Sequence, residues 1–311
     1  MRIVAPIALV FLAGAISNVT AADWPEGYAV HEDSISPDGH YGIAVPESDD
    51  VAKQQPDPKV EEYYALNYLA DVRNHKVFGK ISGSDYFEHQ NHAGLSVTWA
   101  PDSTMCVAQY DARYGWESVY VLKIKGDAFE QIDIGKHIDA VQKKIFDGYM
   151  IGYYRFTSDG KLKVHALSYT NPKQFENEPT YNGVYQGIFD LRSGKWTAND
   201  VRKVKEDDWT NLQTAYDDNL AKHVIVAADD KQVPENFTGR VFRSEQEKFD
   251  ALDQDLNAVY QAVRLIVPSN RFAKVKDEQK AWLKTRDAAK SVEEKSKLTE
   301  DRTTALQDLL W

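Results

Sequence analysis

Residues 244–265 read SEQEKFDALDQDLNAVYQAVRL, and their periodicity divides the chain in two. Ser244 with Glu247 forms a capping box, in which a hydroxyl and a carboxylate each satisfy a backbone N–H left over in the first helical turn. Phe249, Leu252, Leu256, Val259, Tyr260 and Val263 then recur at spacings of three and four, one apolar stripe on a helix. Pro268-Ser269-Asn270 breaks it. Phe272, Val275, Gln279, Trp282, Leu283 and Arg286 continue the spacing on a second helix, and Leu298, Ala305, Leu306 and Leu309 on a third segment. Short connections between complementary stripes predict a helical hairpin or a three-helix unit over 244–311.

Upstream of Ser244 the pattern changes. Residues 22–243 are rich in Tyr, Trp, Val and Gly, with alternating runs and turn signals, and a turn followed by a strand recurs three times. Ser36-Pro37-Asp38-Gly39 precedes Tyr41–Val45, Ala100-Pro101-Asp102-Ser103 precedes Met105–Tyr110, and Ser158-Asp159-Gly160 precedes Leu162–Tyr169. The Asp can bond its own turn while Gly supplies a positive φ. A hairpin follows in each copy, turning at Arg73-Asn74-His75-Lys76, Lys125-Gly126-Asp127 and Arg192-Ser193-Gly194-Lys195. Three like units of up to four strands resemble blades of a β-propeller, but a closed propeller takes at least about four blades. The expected fold is therefore α+β in two parts: a mainly antiparallel, propeller-like or meander β region over 22–243, then the helices of 244–311. Between them a short helix from Trp209 to Leu220, a strand over His223–Ala228 and a turn at Val233-Pro234-Glu235-Asn236 are expected.

The first 21 residues have the form of a secretory signal: Arg2, an apolar run from Ile3 to Ile16, and Val19-Thr20-Ala21 as cleavage site. The apolar run is shorter than a membrane span needs, so cleavage and a periplasmic or secreted bacterial protein are expected, without stable membrane insertion afterwards. Cys106 is the single cysteine, so no internal disulfide can form, and its strand-like apolar surroundings make it a small buried hydrophobe.

The chain has 37 Lys plus Arg against 48 Asp plus Glu, a net charge of −11. That balance argues against nucleic acid as a partner and makes a cationic protein an easier one. The acidity is uneven. Residues 244–311 hold 12 basic and 13 acidic side chains, so nearly all the excess lies upstream.

Three motifs in the helical part carry a family resemblance. Leu252-Asp253-x-x-Leu256-Asn257-x-x-Tyr260, Gln279-x-x-Trp282-Leu283-x-x-Arg286-Asp287 and Leu298-Thr299-x-x-Arg302-x-x-x-Leu306 together resemble the helical domain of LprI-type lysozyme inhibitors. The resemblance implies an exported, non-enzymatic binding protein that acts on a cationic lysozyme-type muramidase. It also implies partner-binding roles for Gln279, Trp282, Arg286, Asp287 and Arg302. The family commonly has a Cys after the Arg-Asp pair and another before Thr-x-x-Arg. Here Ala288-Ala289-Lys290 and Glu294-Lys295-Ser296 stand there, so helix three lacks that staple.

The residues themselves also admit a structural reading. Trp282 would fill a helix interface, with its indole N–H on Asp253 or Asn257. Arg286 would reach the first helix, and Arg286 and Asp287, adjacent on a helix, would face different sides.

No catalytic residue, metal ligand or cofactor is expected. G-x-S-x-G, P-loop, H-E-x-x-H and G-x-G-x-x-G signatures do not occur. His89-Gln90-Asn91-His92 reads as a loop, and the acidic run from Glu47 to Asp50 as a solvated one. The alternative function is an exported hydrolase or carbohydrate-binding propeller with Trp99, Tyr114, Trp116, Tyr153 and Tyr154 stacking on sugars.

Overall fold

A computed structural model describes residues 22–54, 66–142, 148–170, 182–217, 220, 222–226 and 239–311. The expected signal segment and the turn at Val233-Pro234-Glu235-Asn236 lie outside them. Contacts group the chain into two units, Met1–His137 and Ile138–Trp311, with the boundary inside the helix α2 (Gly135–Gln142). The boundary expected at 243/244 falls inside the second.

In the first unit, β2 (Tyr28–Val30), β3 (Tyr41–Pro46), β4 (Asn67–Asp71) and β5 (Lys76–Ile81) form an antiparallel meander, extended by β1 (Ala22–Asp23) along β5. A second meander follows: β6 (Gly94–Trp99), β7 (Met105–Ala112), β8 (Gly115–Lys125) and β9 (Ala128–Asp133). Strand alternation sends Ile43 and Val45 to one face of the first sheet and Ala44 to the other. Ile43, Val45, Leu69 and Phe78 share a core with Leu95, Cys106, Tyr110 and Leu122 of the second sheet. Cys106 is fully buried, and burial raises its thiol pKa, which keeps it protonated. The acidic run is in part a helix, α1 (Asp49–Gln54), because Ser48 stands at its start and two carboxylates favour a first turn.

The second unit opens with a third meander: β10 (Gly148–Phe156), β11 (Lys161–Thr170), β12 (Asn182–Asp190) and β13 (Lys195–Val204). After it come α3 (Glu206–Tyr216) and a parallel pair, β14 (His223–Ile225) with β15 (Arg240–Phe242). The helices α4 (Glu245–Ile266), α5 (Ser269–Asp287) and α6 (Val292–Gln307) complete it. The α+β reading holds, with a mainly antiparallel N-terminal part and a helical C-terminal part.

The three sheets share their local devices. Gly39, Ser103 and Gly160 all have positive φ (68°, 57° and 78°), and each N–H bonds the carbonyl three residues back. Asp38 and Asp102 accept backbone N–H bonds two residues on, from His40 at 3.0 Å and Thr104 at 3.1 Å. Hairpin turns also repeat: Asp71 accepts from Asn74 N at 2.9 Å and Asp190 from Ser193 N at 2.6 Å.

Candidate functional site

The site is built on α4, α5 and α6. Ser244 accepts from Glu247 N at 3.1 Å, and Glu247 accepts in turn from Arg243 N at 2.6 Å. The same device starts α6: Ser291 accepts from Glu294 N at 3.1 Å while Glu294 accepts from Lys290 N at 2.9 Å. The Ser291-x-x-Glu294 spacing is the sequence signal of this second cap. Between the two caps, Pro268 ends one helix and starts the next.

On α4, Leu252, Leu256, Val259, Ala262 and Val263 are buried. From Leu256 to Val263 they meet Leu212, Ala215 and Tyr216 of α3 and Leu167 and Val184 of the third sheet in one core. Helix α6 buries Leu306 as expected, but together with Ser296, Thr299 and Thr303, whereas Ala305 is exposed and Leu298 and Leu309 are half-buried. The two threonine hydroxyls can be buried here because each bonds a carbonyl one turn back. Thr299 donates to Lys295 O and Thr303 to Thr299 O, both at 2.8 Å. Small side chains let α6 lie close to α4. Ser296 is buried and donates to Glu245 Oε2 on α4 at 3.4 Å.

Ion pairs fix the helices further. Asp255 on α4, almost fully buried, pairs with Arg240 on β15. Glu300 Oε1 on α6 lies 2.9 Å from both His223 Nε2 and Lys248 Nζ.

The five residues expected at the binding site form two linked groups. Arg286 Nη1 donates to Asp253 Oδ1 on α4, and its guanidinium lies 5.1 Å from the centre of the Trp282 ring and 5.8 Å from that of Phe249. Arg286 Nε also lies 3.3 Å from Asp287 Oδ1. The expectation that these neighbours face apart is thereby corrected, because the long Arg side chain folds back along the helix even though the Cβ atoms diverge. Trp282 is half-buried against the core, and Asp253 bonds Arg286 instead of the indole. Gln279 is buried and accepts from Arg302 Nε at 2.8 Å, tying α5 to α6, while Glu278 stands 3.9 Å from Arg302. Asp287 is largely exposed.

An open cleft of about 340 Å³ lies between α4 and α5. Motif residues Asp253, Asn257 and Tyr260 line it from α4, and Gln279, Leu283 and Arg286 from α5. Side chains from two of the three sequence motifs thus meet around one concavity, and Arg302 from the third supports it through Gln279.

The aromatic residues of the alternative reading have different surroundings within their own units. Trp99 donates to Ser34 O at 2.8 Å and stacks on Tyr41 inside the first unit. Tyr153 stacks on Tyr216 within the core of the second. Tyr114 is exposed with Arg113 over its ring. His89 and His92 both have left-handed backbone (φ 62° and 60°), and among the described residues no three His, Cys, Asp or Glu side chains converge as metal ligands.

Residues 229–307 match the family described as lysozyme inhibitor LprI. The matched span contains α4, α5 and α6 and therefore the whole cleft. No curated protein and no solved structure matches the chain.

Proposed function

We propose that this is an exported, non-enzymatic protein whose helical part binds and inhibits a lysozyme-type muramidase. The observation that carries the reading is a coincidence of position: the family match at 229–307 covers the helices whose motif side chains surround one open cleft. Gln279, Arg302 and Arg286 set the spacing of the three helices, and Asp287 and the rim of Trp282 present the binding face. The apolar run from Ile3 to Ile16, with Arg2 before it, supports export to the periplasm or beyond, and among the described residues no helix is long and apolar enough to cross a membrane. The net charge of −11 favours a cationic partner.

A turbidity assay tests this directly. The chain from Ala22 onward, added to a muramidase clearing a cell-wall suspension, should slow the clearing in a dose-dependent way. Unchanged clearing, with no complex detectable at low salt, would remove the inhibitor reading.

A further inference from the structure

We infer that α5 is the element that meets the muramidase's catalytic carboxylates, so that inhibition is competitive with the glycan; this rests on the muramidase reading above. The helix is a cationic island on an acidic chain. Ser269–Asp287 holds six basic and three acidic side chains, net +3, against −11 for the whole. Of its 19 residues only Val275 and Gln279 are buried, so most of its surface is open.

Lys276, Lys280 and Lys284 are all exposed and spaced four apart, a row about 12 Å long on one side of the helix. Lys276 and Lys280 also border the cleft. Asp277 stands 3.5 Å from Lys280, Glu278 is shared with Lys274 and Arg302, and Asp287 belongs to Arg286. Among the described residues neither Lys276 nor Lys284 has a carboxylate within 4.0 Å.

A cationic partner repels such a row over most of its surface. Glycoside hydrolysis nevertheless requires two carboxylates flanking the scissile bond, about 5 to 9.5 Å apart, so even a strongly basic muramidase is acidic at its reaction centre. Successive lysines of the row are about 6 Å apart along the axis, a spacing that matches the carboxylate pair. The acidic remainder of the chain favours the enzyme's basic surface while the lysine row disfavours it, so the enzyme's acidic centre is the one place that suits α5. Repulsion elsewhere makes the docking specific.

The test combines kinetics with two sets of variants. Initial rates at several glycan concentrations should show an apparent KM that rises with inhibitor and an unchanged kcat. A muramidase whose two catalytic carboxylates are replaced by amides should bind the chain at least tenfold more weakly. The double variant Lys276→Glu with Lys280→Glu should lose inhibition while keeping its helical circular dichroism, and Lys276→Arg with Lys280→Arg should retain it. Non-competitive inhibition, equal affinity for the amide enzyme, or full potency of the glutamate variant would each overturn the inference and leave the muramidase reading standing. Absence of any complex with the native enzyme overturns both.

Discussion

Arg286 on α5 donates to Asp253 on α4 while its guanidinium lies over both Trp282 and Phe249, so one side chain ties two helices by charge and by stacking. Arg286 is mostly buried and Asp253 partly exposed, at 15% and 39% of their side-chain surface, which places the pair between a surface and a buried ion pair. Arg286→Ala is expected to lower stability by about 1 to 3 kcal/mol in urea unfolding. Arg286→Lys should recover less than half of that, because an ammonium has neither the fork nor the flat face of a guanidinium. Full recovery by Lys would show that charge alone acts here.

Trp282 is half-buried rather than enclosed, so Trp282→Ala should cost less than the ~3 to 5 kcal/mol typical of a fully buried aromatic, about 2 kcal/mol. Trp282→Phe should cost under about 1 kcal/mol, since it keeps the ring under Arg286. A loss of inhibition without a change in melting would assign the indole to partner contact instead.

The two serine caps give a matched pair of measurements. Ser244→Ala and Ser291→Ala each remove one side-chain acceptor at a helix start, with the same 3.1 Å geometry, and each should cost about 1 kcal/mol. If the Ser291 change is silent, the first turn of α6 frays without consequence, and its hold on α4 rests on the turns that follow, where Thr299, Thr303 and Leu306 are buried and Glu300 meets Lys248.

What the sequence makes legible follows from how local each signal is. The caps, the Pro268 break and the turns at Asp38, Asp102 and Asp159 depend on neighbours within five residues, and all appear where their residues predict. The three motifs converge because residues three and four apart on a helix share a face. The burial of Ser296, Thr299 and Thr303 was not legible in that way, since a hydroxyl reads as polar until its partner is known: the preceding turn for the two threonines and Glu245 for Ser296. Nor does periodicity show that α4 buries its stripe on Leu167, Val184 and α3, because a stripe says which face is covered but not by what.

That packing has a consequence for truncation. Residues 138–311 should melt as one cooperative unit, while 244–311 alone should show reduced helicity and a broad transition, since Leu256, Val259 and Val263 lose the sheet and α3. Circular dichroism of both fragments decides it. A sharp melt of the 68-residue fragment would mean that α4, α5 and α6 need only each other.

His165, at the centre of the third sheet, links this packing to pH. Its ring is almost fully buried, accepts the Tyr216 hydroxyl at Nδ1, and meets the edge of Trp311 with ring centres 4.6 Å apart. Burial, with Lys163, Arg202 and Arg155 adding to it, depresses the imidazole pKa to about 3. The unfolded chain takes up this proton near pH 6.5 and the folded one only near 3, so acid favours unfolding across that window. Above pH 6.5 the ring is neutral in both states and has no influence on the pH dependence. As pH falls from 6.5 towards 3, stability should drop by up to about 1.4 kcal/mol per unit on account of this one group. Carboxylates contribute their own slope at the acid end, so the measurement is a difference. Urea unfolding of the native chain and of His165→Gln from pH 7.5 to 4.5 should give curves whose separation narrows steadily below 6.5. Parallel curves would mean that the ring reaches water in the folded state.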